Sequence, residues 1–247
     1  MKTRIAKTEA DRVTIRGQDL VDDLIGVRSF TEMIYFLTVG RMPTSPQVRV
    51  LDACLVTLME HGWTPSSLIT RLMIDSVPSE TQVAMASGLL ALGSVFAGTS
   101  ENCALLLQGS VEAGGDPDAY FRDAVASHRA RKAAVPGFGH PVHKPDDPRA
   151  LRLLRIAEEA GLAGRYVQML HRLSAAMDAT FGKHIAINAT GAIGALLLEI
   201  GLPADLMRGV GVVSRAGGLI GHVAEERQTH SSRYIWKLAE ENIPYED

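Results

Sequence analysis

One proline- and glycine-rich run, Val135-Pro-Gly-Phe-Gly-His-Pro-Val-His-Lys-Pro-Asp-Asp-Pro-Arg-Ala150, limits the possible folds more than any other part of the chain. It cannot be the interior of a helix, because each proline lacks an amide hydrogen and its ring collides with the preceding turn. It is too polar for the core of a sheet. The glycines of Gly-Phe-Gly-His allow the backbone to approach a ligand closely where side chains would block it. Asp147-Pro148-Arg149 then reads as a helix start, with Asp147 at the N-cap and Pro148 in the first helical position. The run is therefore expected to be a rigid loop presenting the His140 imidazole, with the Arg149 guanidinium held in the first turn beyond it.

On both sides of this loop the spacing is helical. Phe30, Ile34, Leu37 and Thr38 follow a Ser29 cap with Glu32 three residues on, and Gly40 and Pro43 stop that helix. Further helices are expected at 46–60 (ended by His61-Gly62), 66–75, 80–97 and from Asp116-Pro117 to about Ala133. Beyond the loop they are expected at 148–161, 163–181, 189–200, 203–226 and 232–242. No alternating strand with a hairpin turn and no internal repeat is found, so the fold class is all-α. Gly209-Val-Gly211 lacks the third glycine and the βαβ surroundings of a dinucleotide turn. Gly98-Thr-Ser-Glu101 lacks the spacing and the lysine of a phosphate-binding loop, and reads as a helix start.

The 247 residues suffice for one large domain or two modest ones, and 46% are apolar and 21% charged, as in an ordinary soluble globular protein. A net charge of −3 gives no electrostatic footprint for nucleic acid. Cys54 and Cys103 do not make a disulfide framework, so a reducing compartment is the default. The start carries no apolar segment of a signal peptide. The most apolar run, Ile185 to Ile200, is too short to span a bilayer. The expectation is a cytoplasmic protein with no membrane partner.

The central run resembles the active-site loop of the citrate synthase family, in which Gly-Phe-Gly-His is followed by Asp-Pro-Arg-Ala; the His-Pro-x-His-Lys version is most similar to short citryl-CoA lyase-type members. The likeness extends to Arg-Gly-x-Asp-Leu … Gly-Arg-x-Pro-Thr near the amino terminus and covers about residues 14 to 240. It implies a large helical domain (1–99 and 206–247) and a smaller inserted helical domain (100–205) closing over the ligand, and a homodimer with shared sites. It also implies a coenzyme A thioester and a carboxylate as substrates, with no cofactor and no metal. By resemblance His140 is the histidine on the acceptor side and Arg149 the first carboxylate-binding arginine. Arg215, in Arg-Ala-Gly-Gly-Leu-Ile-Gly-His, matches a second carboxylate ligand, with His222 packing behind it. Arg233 matches the arginine supplied by the partner subunit, Asn188 is a retained substrate-side residue, and Pro136, Gly137, Phe138, Gly139 and Lys144 hold coenzyme A.

Claisen chemistry on a thioester needs a base for the α-proton, a donor for the enolate oxygen and an acid for the acceptor ketone. Two of these positions depart from the family pattern. The enolate-stabilising histidine falls on Phe96 in Leu92-Gly-Ser-Val-Phe-Ala-Gly98, and the basic aspartate falls on Thr190 in Asn188-Ala-Thr-Gly-Ala. Phenylalanine donates no hydrogen bond and threonine is no base near neutral pH. Glu101, His143 and His184 are the nearest titratable residues by sequence. His140, His143, Asp146 and Asp147 can be drawn as a metal site, but the prolines between them oppose convergent geometry. Two functions are therefore expected to compete. One is making or breaking a carbon–carbon bond in a thioester such as citryl-CoA, with a more apolar acyl pocket at Phe96. The other is a non-catalytic homologue that binds a CoA ester or polycarboxylate as a sensor or partner subunit.

Overall fold

The computed structural model describes residues 1–246, except for the side chains of 95–97. Eleven α-helices follow a short amino-terminal sheet among these residues. They are α1 Phe30–Val39, α2 Ser45–Met59, α3 Pro65–Ser76, α4 Thr81–Leu90, α5 Ser94–Glu112, α6 Pro117–Ala130, α7 Pro148–Glu159, α8 Arg165–Phe181, α9 Ala189–Glu199, α10 Met207–Thr229 and α11 Ser231–Asn242. The Ser29/Glu32 capping box is present, as is the Asp147 cap with Pro148 in the first turn of α7.

The fold is all-α in its architecture, with two local corrections to the sequence reading. The first is a three-stranded antiparallel sheet, β1 Ala6–Thr8, β2 Val13–Ile15 and β3 Gln18–Asp19. Its strands are too short to show alternation, and its hairpin turns on Arg16 (φ 44°) and Gly17 (φ 86°). A two-residue turn with both φ values positive ordinarily advertises itself as Asn-Gly or Asp-Gly, so Arg-Gly gave little warning. The second is the expected helix over 80–97, which is two helices broken at Ala91–Gly93. The run of leucine and alanine conceals the break, and Gly93 in extended conformation (ψ 179°) starts α5. Gly98-Thr-Ser-Glu101 consequently lies inside α5 rather than at a helix start.

Helix α9 is the centre of the molecule. From Ala189 to Leu198 every residue is buried except Thr190, the signature of a helix surrounded by others. Ile193, Leu196 and Leu197 are fully buried, and each stabilises the fold by roughly 1.5–3 kcal/mol relative to exposure. Helices α5, α7 and α8 pack around α9. Tyr35 Oη and Gln47 Nε2 donate to the Ile200 carbonyl at its far end, at 2.6 and 3.2 Å. A second, smaller apolar cluster (Ile74, Ala84 and Val223) joins α3, α4 and α10. The one residue of α9's first ten that escapes burial, Thr190, faces a cleft.

Candidate active site

A cleft of about 640 Å³ opens where the N-terminus of α9, the central loop, the residues after α2 and the middle of α10 meet. His61, His140, Arg149, Asn188, Thr190 and Arg215 all line it. Four expected site residues therefore come together from positions up to 75 apart in the chain (140 to 215).

The His140 loop is fastened to the start of α9. Gly139 N–H donates to Ala186 O (2.8 Å) and Asn188 N–H to Gly137 O (3.0 Å). Asn188 Nδ2 donates to Gly139 O (3.0 Å), while its Oδ1 accepts from Gly191 N–H and from Thr190 Oγ1 at 2.7 Å. Both ends of the Asn188 amide are thus occupied within the protein, so this residue holds the loop. Gly137 is glycine for a different reason from the one expected. A Cβ there would lie 2.7 Å from Cys103 Sγ and 2.8 Å from Gly191 Cα, so it admits α5 and α9 rather than a ligand. Phe138 is likewise turned inward, 8% exposed. Gly139, at φ 77° with open space around it, and Lys144, exposed, are the members of the expected CoA-binding set that face outward. Burial pushes the Cys103 thiol up to about 12, which leaves it inert as a nucleophile.

His140 is held in one tautomer. Its Nδ1 accepts from the backbone N–H of Val142 (3.1 Å) and His143 (3.0 Å), so the neutral ring carries its proton on Nε2. Burial, then the neighbouring His143 and Arg149, lowers its pKa, which keeps the ring neutral and able to donate. The His143 ring stacks on it at 4.3 Å and His61 meets it edge-on at 6.2 Å.

Arg149 is clamped by Asp147 through Nε (3.0 Å) and Nη2 (2.8 Å). Its Nη1 lies 3.4 Å from His61 Nδ1. Burial of Asp147 opposes ionisation, but hydrogen bonds from Arg149 and Ala189 outweigh it and hold the carboxyl at about 2. Arg215 is half-buried inside the cleft, and its Nη1 has no hydrogen-bond partner among the described residues. That nitrogen is buried and stands 4.0 Å from Glu60 Oε2, so the guanidinium keeps hydrogen-bonding capacity that the protein does not use.

The remaining expected residues lie elsewhere. Arg233, on α11, is bound by Asp75 (3.2 Å) and does not line this cleft within one chain. Glu101 is paired with Arg208 at 3.1 Å. The Phe96 side chain lies outside the described residues. His184 forms a clasp: its two ring nitrogens meet Asp178 and Asp146, each at 2.9 Å, tying α8 to the central loop. Hydrogen bonds from its ring to the Asp178 and Asp146 carboxylates raise its pKa, so the clasp contributes fully below the unfolded value of about 6.5 and is lost as pH rises through the folded value. His184→Ala should therefore lower the melting temperature at about pH 6 and have much less effect at about pH 9; equal effects would show that the ring bonds there without its charge. Among the described residues no group of three metal-ligating side chains converges, and no helix is long and apolar enough to cross a membrane.

Sequence reasoning missed His61, whose His-Gly pair reads as nothing more than a helix stop. It also missed Trp63, which lines the cleft, and the buried Arg71 stacked on it, because their meeting depends on α10 packing over α3.

These features match a known family. The citrate synthase C-terminal domain family model matches residues 45–238, and the chain belongs to that family. It is similar to the structure of citryl-CoA lyase from Hydrogenobacter thermophilus, with a TM-score of 0.90 and 30% identity over all of this chain and 94% of that one. Among curated proteins it is 29% identical to citrate synthase of Haloferax volcanii over 214 residues, covering 85% of this chain and 55% of that protein. The chain spans about half the length of the curated relatives it matches. At 19% identity, ATP citrate lyase from Methanothrix soehngenii, solved with citrate and coenzyme A, shares the fold over 94% of this chain with a TM-score of 0.77.

Proposed function

We propose that this cleft binds a polycarboxylate joined to, or alongside, a coenzyme A thioester, and acts on the carbon–carbon bond of a thioester of the citryl-CoA type. The observation that carries the reading is that Arg149, Arg215 and His140, held in its Nε2–H tautomer, line one cleft. Arg149 and Arg215 would hold carboxylates, and His140 would donate to the carbinol or ketone oxygen. In the cleavage direction the bond between the carbinol carbon and the thioester CH₂ breaks. Its electron pair passes to the CH₂ as an enolate, the carbinol oxygen gives its proton to solvent (the His140 ring already carries one on Nε2) and becomes the ketone, and the enolate carbon takes up a proton from solvent. Gly139 and Lys144, at the open side of the loop, would meet coenzyme A, with Pro136, Gly137 and Phe138 as the scaffold beneath. A homodimer would bring a second copy's Arg233 to the site, and residues 100–205 would close as the smaller domain over the remainder. A cytoplasmic location and the absence of any cofactor belong to the same proposal.

Thr190 favours a second reading. Its hydroxyl donates to Asn188 and supplies no base, and on this reading the chain retains the ligand and lacks the turnover. The deciding experiment is mass-spectrometric assay of citryl-CoA, alongside acetyl-CoA with oxaloacetate, between about pH 6 and 9. Product in either direction supports the enzyme. Bound citrate or coenzyme A without product supports the binding protein. If neither binds nor reacts, both readings fail.

Ligand binding should be linked to protons. Burial, then Arg149, Arg215 and His143, lowers the pKa of His61. A carboxylate between the arginines cancels part of their field and raises that pKa back toward about 6.5, so binding takes up protons and tightens as pH falls through that value and below. Calorimetry of citrate binding in buffers of different ionisation enthalpy measures the uptake. Proton-neutral binding would place citrate away from His61.

A further inference from the structure

Behind the cleft wall runs a chain of polar groups that the proposed chemistry does not use. It starts at Arg71 on α3, which is 2% exposed. Arg71 bonds Glu225 and Glu226 of α10, the latter at 3.1 Å, and lies over the Trp63 ring at 4.6 Å. Its Nε donates to His222 Nδ1 at 2.9 Å. An imidazole that accepts at Nδ1 carries its proton at Nε2, and His222 Nε2 accordingly donates to Glu60 Oε2 at 2.9 Å. The other Glu60 oxygen accepts from the backbone N–H of His61 (2.8 Å) and Gly62 (2.5 Å). Glu60 Oε2 also stands 4.0 Å from Arg215 Nη1. Each link has a fixed donor and acceptor, and the chain ends on two groups of the cleft.

We propose that Arg71, His222 and Glu60 form a positioning relay that sets the His61 turn and the Arg215 guanidinium for the carboxylate end of the ligand. This deepens the proposed function and rests on it for the identity of that ligand. The packing supports it independently. A Cβ at Gly218 would meet Met59 O at 2.1 Å and Glu60 Oε2 at 3.0 Å, so the α10 backbone lies directly on the turn and delivers His222, one helical turn later, to Glu60. Gly62 is left-handed (φ 68°), and the two N–H bonds to Glu60 hold His61 and Gly62 itself in one arrangement.

A role of Glu60 as a mere counter-charge predicts the opposite sign. Removing an anion beside Arg215 would by charge alone tighten citrate, whereas loss of positioning weakens it. Three variants separate these. His222→Leu breaks the relay, His222→Gln keeps an acceptor for Arg71 and a donor for Glu60, and Glu60→Gln keeps the acceptor for the turn but opposes the His222 donor. The first readout needs no ligand: the His61 imidazole titration followed by NMR. Arg149, Arg215 and His143 hold its pKa low after burial and Asp147 opposes them, while the His140 ring meets it edge-on and Glu60 precedes it in the chain. Displacing the ring should move its pKa toward about 6.5 in His222→Leu and Glu60→Gln, with His222→Gln close to the parent. The second readout is citrate affinity by calorimetry, expected to fall about tenfold in His222→Leu and Glu60→Gln and to recover to within about threefold in His222→Gln. An unchanged His61 titration in folded Glu60→Gln, or tighter citrate binding by it, overturns the relay. Should His222→Leu fail to fold, Glu60→Gln carries both readouts. A parent chain that binds no citrate would refute the ligand assignment, while the His61 titration would still decide the relay.

Discussion

Thr190→Asp is expected to raise turnover of citryl-CoA, or of acetyl-CoA with oxaloacetate, by about 10²–10⁴-fold over the parent chain, the usual worth of a positioned proton-transfer group. Position 190 lies in the first turn of α9, on the cleft wall, two residues beyond the Asn188 cap. A carboxylate there is favoured by the positive end of the helix by roughly 0.3–1 kcal/mol, so the fold should accept it. Asn188 would stay in place, since its Nδ2 remains bonded to Gly139 O and its Oδ1 to Gly191 N–H. Adding His140→Ala to the same chain should remove the gain, because the carbonyl would lose its donor. If Phe96 stands where the resemblance puts the family's enolate-stabilising histidine, Phe96→His with Thr190→Asp should exceed the single change. Folded Thr190→Asp that binds citrate and coenzyme A yet turns over neither reaction would show that the departure at position 190 is not what limits the chain.

The largest stability effect should come from Arg71→Ala, a loss of about 3–5 kcal/mol. Glu226 is 1% exposed, and Arg71 is the one guanidinium that reaches it among the described residues. Without it the carboxylate is buried beside Ser231 and the Ser232 N–H alone, and the Trp63 ring loses the cation stacked on it. For a chain of this length the melting temperature should drop by roughly 10 °C. Removing the stranded charge as well, in Arg71→Met with Glu226→Gln, should restore part of that loss, because the penalty comes from the unpaired ion more than from the missing pair. A double variant no more stable than Arg71→Ala would assign the cost to packing.

The parts of the molecule legible in the sequence are those written in short local codes. Ser29 with Glu32, Asp147 with Pro148 and Asp116 with Pro117 each announce a helix start within four residues, and each is where it was expected. His140, Arg149 and Arg215 were found by resemblance, and the structure places all three on one cleft. What stayed hidden depends on contacts between distant segments. Gly137 looked like a ligand-facing glycine, whereas the steric reason for it is Gly191, more than fifty residues later. His61 has no local signature, and its place in the site comes from Arg149 on another helix and from Glu60 beside it. The break after α4 is concealed because Leu89, Leu90, Ala91 and Leu92 suit a helix or its end equally well. Arg233 shows the reverse: its surroundings in one chain, Asp75 and open solvent, carry no sign of the cleft.

The welding of the His140 loop to the start of α9 has a mechanical consequence. Loop, α9 and the Arg149 turn of α7 form one jaw, cross-linked by Asn188 and by Asp147, which accepts from Ala189 N–H at 3.0 Å. The end of α2 and the middle of α10, bearing His61 and Arg215, form the other. At the mouth of the cleft the two sides meet through Arg149 and His61 at 3.4 Å and through the edge-on His61 and His140 rings, and deeper down α2 packs on α7, where Arg49 pairs with Glu159. A polycarboxylate gripping both arginines would therefore work as a suture, and its hold would register in slowed hydrogen exchange along α7 and α10, well away from any atom it touches.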